Sequence, residues 1–207
     1  MPALRPRSAS SLAFGFLAAR IGIAFEANHG KGTEFMLISK KVNEAINHQI
    51  GNEFGASLQY VAIASYFAAE GLLELSAFFY KQAEEERDHA MRFVKFVVDS
   101  GGRVEIPQIA APKNTFNGAV DAAKLSLKWE TEVTGQINKL VELAVKERDH
   151  ITQNFLQWFL REQLEEFATM DTLLKVAQRA GQNVLLVEEY VARHGDRLRV
   201  GMKEEKE

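Results

Sequence analysis

The chain has no cysteine in 207 residues, which excludes disulfides, cysteine-ligated zinc or iron centres and thiol nucleophiles. Proline is nearly as scarce. The four prolines lie at positions 2, 6, 107 and 112, so 36–106 and 113–207 contain none, as long helices require. Neither sign of charge dominates: 25 basic and 28 acidic residues leave a formal net charge of −3, which argues against broad electrostatic binding to nucleic acid. No apolar run is long enough to span a bilayer, so no membrane partner is expected. With 46% hydrophobic residues the chain can fill one core of ordinary size. A cysteine-free chain suits a reducing compartment, and the expected setting is cytoplasmic.

The first 35 residues stand apart. Arg5, Arg7, Arg20 and Lys31 face only Glu26 and Glu34, and Ser8 to Ser11 is rich in serine and alanine. The run Leu12 to Ala19 has the length of an export-signal core, but Arg20 interrupts it and no small-residue cleavage site follows. Three readings stay open, in this order: translation that begins at Met36, a disordered leader, or an export signal. The first draws on Gly30-Lys31-Gly32, whose purine-rich codons resemble a ribosome-binding site just upstream of that methionine. The expected division is a leader at 1–35, one helical domain at 36–195 and a charged tail at 196–207.

Apolar residues in both proline-free stretches recur at three- and four-residue steps, which predicts helices. Gly71 divides the first stretch into helices at about 38–70 and 73–100. A third is expected over 117–148 and a fourth over 149–180, closed by Gly181, with a short fifth at 184–193. The breaks near 71 and 148 are tight and join antiparallel neighbours. Gly101 to Phe116 holds both internal prolines and reaches ~50 Å when extended, against ~42 Å for a 28-residue helix. Two hairpins joined by one long crossover predict an all-α, ferritin-like four-helix bundle with a short fifth C-terminal helix.

The predicted inward faces are apolar with a polar group near the middle. They read Ile50, Glu53, Ser57, Tyr60, Ala64; Leu75, Phe79, Gln82, Glu86, His89, Phe93, Val97; Ala123, Leu127, Glu130, Thr134, Ile137, Val141; and Leu156, Phe159, Gln163, Phe167, Met170, Leu174. Three buried glutamates at one level are costly unless a cation compensates them. Glu53 and Glu86 are 33 residues apart, as are Glu130 and Gln163, and a constant shift of 77 relates the pairs. The same shift carries Glu85 onto Glu162 and His89 onto Glu166. Residues three apart share a helix face, so Glu86 and His89 can hold one metal together. A di-iron carboxylate site in a bundle core is built this way.

Asn52-Glu53-Phe54, Glu85-Glu86-Arg87-Asp88-His89, Lys128-Trp129-Glu130 and the run Asn154 to Glu166 resemble the signature of bacterial non-haem ferritins, over about Met36 to Arg193. The resemblance implies iron storage and a ferroxidase, oxidising ferrous iron with oxygen or hydrogen peroxide and collecting ferric mineral inside a homo-oligomeric shell of 24 subunits. It also implies site roles. Glu53, Glu86 and His89 match the ligands of a first iron. Glu86 bridges to a second, completed by Glu130 and supported by Gln163. Glu85, Glu162 and Glu166 match a third iron site. Tyr60 and Trp158 match a tyrosine and a tryptophan placed to give up single electrons.

The departures matter as well. Arg87 stands where bacterioferritins carry their haem-ligating methionine, and Thr169 replaces the histidine of their second Glu-x-x-His, so no haem is expected. Gln153 and Leu156 occupy the positions of the acidic pair that lines the entry channel of animal heavy-chain ferritins. Glu147-Arg148-Asp149-His150 repeats the letters of Glu86-Arg87-Asp88-His89 but falls at a turn, and is read as a solvated turn or an iron-guiding site at a shell entrance. Glu84, His29, His48 and His194 are read as surface. Two rivals remain: a DNA-protecting mini-ferritin with its metal site between subunits, and a soluble di-iron oxygenase or peroxidase.

Overall fold

The computed structural model describes residues 36–198, with side chains through Gly195. The predicted leader 1–35, with His29, lies outside these, as do the side chains of the tail. Five helices follow in order: α1 (Lys40–Ala69), α2 (Leu73–Asp99), α3 (Ala119–Glu147), α4 (His150–Ala180) and α5 (Val184–Leu198). Among the described residues there is no strand. The first four helices lie within two residues of the expected bounds. The fifth runs five residues beyond, because Gly195 does not stop it; a Cβ there would sit in ordinary contact with Val191.

Local chemistry explains most of the helix ends. Ser39 Oγ accepts from Val42 N at 3.3 Å and the Asp149 carboxylate from Thr152 N at 2.9 Å, each satisfying a donor that the first turn leaves free. The turn after α1 passes through Gly71 at φ 76°, where a side chain would be strained. Arg148 closes α3 in the same left-handed region, at φ 56°. The start of α2 has no cap of its own. The Glu188 carboxylate of α5 supplies one, accepting from Glu74 N at 2.7 Å and Leu75 N at 2.9 Å. A negative charge suits a helix N-terminus, so this contact fastens α5 to the bundle.

The crossover runs along α1 in α1's own direction. Asn43 and Asn47 donate to the Arg103 carbonyl at 3.1 and 2.8 Å, and Asn47 accepts from Glu105 N. Pro107 crosses at Gly51, where an added Cβ would lie 2.4 Å from its ring. Gln59 then pairs both ways with the Lys113 backbone, at 2.9 Å each. This delivers α3 to the far end of α1, antiparallel to it. The core forms two apolar clusters, one around Phe67, Phe79 and Met170, the other around Ile46, Phe93 and Ile137. The polar layer lies between them.

Every predicted inward residue of α2 is buried. The α3 face is rotated from the expected one. Ser126, Val133 and Leu140 are buried, while Leu127, Thr134 and Val141 are only half-buried at its edge. The sequence pattern favoured the larger side chains, whereas close helix packing selects the small Ala122 and Ser126. On α4, Phe167 is turned outward and 42% exposed, and Glu166 takes the interior place at 6%. Here the polar layer outranks the apolar pattern. His194 is half-buried against Tyr190 rather than free on the surface.

Candidate metal centre

The centre begins with two glutamates at mid-helix, Glu53 on α1 and Glu86 on α2, and with His89 one turn beyond Glu86. All three are buried, and one ligand atom from each lies within 4.8 Å of the others. His89 Nδ1 is 3.4 Å from Glu86 Oε2. Its ring is held edge-on by Trp158 and Phe159, with centroids 5.4 and 5.9 Å away, and the Arg92 guanidinium covers the outer face of Trp158 at 3.9 Å. The imidazole therefore has little freedom to turn away.

From the other hairpin, Glu130 is fully buried. It accepts from the Tyr60 hydroxyl and is hydrogen-bonded by the Gln163 side chain. The Thr134 hydroxyl lies 2.9 Å from Gln163 Oε1 and 2.7 Å from the Glu130 carbonyl. Gln163 thus meets Glu130 rather than the triad. Glu85, half-buried, and Glu166 are joined through Gln82, whose amide donates to them at 2.8 and 3.2 Å. Glu162 is half-buried nearby, its pKa raised by burial despite the opposing influence of His89 and Arg92. All nine predicted site residues therefore surround one layer.

Electrostatics separate this layer from an ordinary polar core. Burial, then repulsion by Glu86, raises the Glu53 pKa to about 8. Glu86 is pushed well above the usual carboxylate range, first by burial and then by Glu166. Glu130 is raised in the same way by burial and by Glu86. Burial and the neighbouring Glu130 hold the Tyr60 hydroxyl well above its ordinary value. Glu53 Oε2, both oxygens of Glu86 and Glu130 Oε2 are buried with no amide or hydroxyl donor, and Glu53 and Glu86 have each other's carboxyl as partner. Buried polar atoms are normally satisfied. Hard oxygen donors beside one imidazole fit a divalent transition metal such as iron.

Sequence reasoning left two partners without a role. Gln49 donates to Glu53 Oε1 at 2.9 Å, and Gln82 was noted only as an inward residue. The local signal was available, because Gln49 lies four residues before Glu53 and Gln82 three before Glu85. The decoy Glu147 to His150 is a turn: Glu147 pairs with Lys41 at 3.2 Å, and Asp149 caps α4. His48 and Glu84 are exposed, as expected.

Fold and centre together define a helical bundle that gathers buried carboxylates and a histidine into a group that could hold a metal ion. The profile of the Ferritin-like domain matches residues 43–180. The chain is 45% identical to the ferritin BfrB of Mycobacterium tuberculosis over 164 residues, covering 79% of this chain and 91% of that one. It is 36% identical to a bacterial non-heme ferritin of Staphylococcus aureus over 147 residues, 71% and 89% of the two chains. Its fold matches an open-pore ferritin of the hyperthermophilic archaeon Archaeoglobus fulgidus with a TM-score of 0.73 at 34% identity, over 75% of this chain and 97% of that one. The chain belongs to the ferritin family. Among the described residues no helix is long and apolar enough to cross a membrane.

Proposed function

We propose that this chain stores iron, oxidising ferrous ions at the buried centre and collecting the ferric product inside a shell of 24 copies. The observation that carries this reading is the buried triad of Glu53, Glu86 and His89, with one ligand atom from each within 4.8 Å of the others and the buried Glu130 carboxylate acting on Glu86. Glu53, Glu86 and His89 take the first ferrous ion. Glu86 and Glu130 take the second, with Gln163 steadying Glu130. Each ferrous ion gives one electron to dioxygen, which gains two protons and leaves as hydrogen peroxide. Tyr60 holds one oxygen of Glu130 through its hydroxyl, so the carboxylate presents the other. Glu85, Glu162 and Glu166 form a third position beside the pair, tied by Gln82, through which iron moves on.

All three residues of the triad come from one chain, which supports this reading over a mini-ferritin with its site between subunits. The test is aerobic addition of ferrous iron to purified protein, followed by sizing and metal analysis. The expected result is a particle of about 24 subunits that loads far more than two irons per chain. Loading that stops at two per chain would favour a di-iron oxygenase instead.

A further inference from the structure

Between α3 and α4 lies a groove of about 360 Å³, lined by Thr131, Thr134, Leu160, Gln163, Leu164 and Phe167. We propose that it admits dioxygen to the rear of the metal centre, an inference that rests on the ferroxidase reading above. Three features carry it. The lining has no charged side chain, so a ferrous ion entering there would lose its water with nothing to replace it. Dioxygen is apolar and needs no such replacement; dry apolar cavities bind xenon for the same reason. Leu164 and Phe167 stand at the mouth, 70% and 42% exposed on the single chain, and give it an apolar rim.

The floor is the second feature. Gln163 is only 3% exposed and its side chain meets Glu130, so one side chain separates the groove from a carboxylate of the centre. The third is the identity of that side chain. Gln163 is the counterpart of Glu86 in the other hairpin, and a neutral amide there spares an apolar molecule the field of a further carboxylate. Iron and oxidant would then use different sides of the centre, the iron leaving by way of the acidic side formed by Glu85, Glu162 and Glu166.

The assembled protein tests this in two ways. Crystals pressurised with xenon should hold the gas in the groove, and Leu164→Trp should expel it. Because Leu164 is exposed, that substitution leaves the core intact. In steady-state oxidation of ferrous iron, Leu164→Trp should raise the KM for dioxygen about three-fold or more with kcat at saturating oxygen little changed. The ratio of oxygen-driven to peroxide-driven rates should fall with it. Phe167→Ala, which widens the mouth, should not raise that KM. A groove free of xenon, a groove filled by side chains of a neighbouring subunit, or an unchanged KM in Leu164→Trp would each overturn the proposal. If wild-type protein oxidises no ferrous iron, the ferroxidase reading fails instead, and xenon alone then decides the groove.

Discussion

The two helical hairpins share one spacing and differ in chemistry. In the first, Gln49 and Glu53 on α1 stand opposite Gln82 and Glu86 on α2, each glutamine four residues before its glutamate, with His89 completing a triad. The matching positions in the second are Ser126 and Glu130 on α3, and Phe159 and Gln163 on α4. Ser126 spends its hydroxyl on the Ala122 carbonyl at 3.0 Å, and Phe159 stacks on Phe93 at 4.1 Å. A near-symmetric backbone therefore carries the buried triad on one side, and on the other a buried Glu130 braced by neutral partners, with Glu162 and Glu166 set towards the first hairpin's Glu85 and Gln82. The difference teaches that, if the centre holds two ions as proposed, the two positions are not built alike.

The strongest way to break that comparison is to remove ligands from each half. Glu86→Ala or His89→Ala should slow oxidation by more than the ~10–100-fold that loss of an outer partner costs, while Gln163→Ala should stay within that range. Stopped-flow oxidation with excess oxygen, on particles sized to confirm assembly, measures both. If Gln163→Ala is as slow as His89→Ala, the halves are equal and the argument fails.

Protons probe the first half without metal. Glu53 rises from 4.5 to about 8 on folding, chiefly through burial. Below 4.5 it is neutral in both states and costs nothing. Between 4.5 and about 8 the unfolded chain releases the proton and the folded chain keeps it, so stability falls as pH rises through that window. The loss from this group is at most roughly 5 kcal/mol, since one pKa unit is worth about 1.4 kcal/mol. Thermal unfolding of metal-free protein should show a lower Tm at pH 8 than at pH 5, with Glu53→Gln flattening the slope. A Tm that climbs over this range would mean that the carboxylates are paired rather than crowded.

A smaller effect is expected from the second half. Glu130→Gln keeps the shape and removes one buried acid, and should stabilise metal-free protein at neutral pH by roughly 1–3 kcal/mol. A redox-inert divalent ion, which stabilises whatever state binds it, should narrow or reverse that gain. A metal-free mutant less stable than wild type would contradict the crowded cluster. Smallest of all is Glu166→Ala. It should leave the first round of oxidation intact and change later turnover or the iron bound per chain. An early rate as low as that of Glu86→Ala would merge the third position with the main pair.

Much of this was legible in the residues. The break at Gly71, the prolines confined to the crossover and the repeated interval of 33 located four helices and a polar layer at one height. The failures share a cause. Phe167 was expected inside and lies outside, while Glu166 lies inside; Leu127 yielded its place to Ser126. Periodicity ranks positions by hydrophobicity, but at the level of the centre the interior is chosen by charge compensation and by how closely two backbones approach. Gln49 escaped notice because a glutamine near a glutamate on a helix is ordinary until both are known to be buried.

The sequence by itself determined the helices, the long crossover and the level at which Glu53, Glu86 and Glu130 meet, because these follow from short-range periodicity and fixed intervals along the chain. Only the tertiary structure decided which carboxylate oxygens lack an amide or hydroxyl donor, that Tyr60 meets Glu130 across 70 residues, that Glu188 of α5 caps α2, and that an uncharged groove backs onto Gln163. Each of these depends on the rotation of one helix against another. Rotation is set by the packing of whole side-chain surfaces, which no local pattern records.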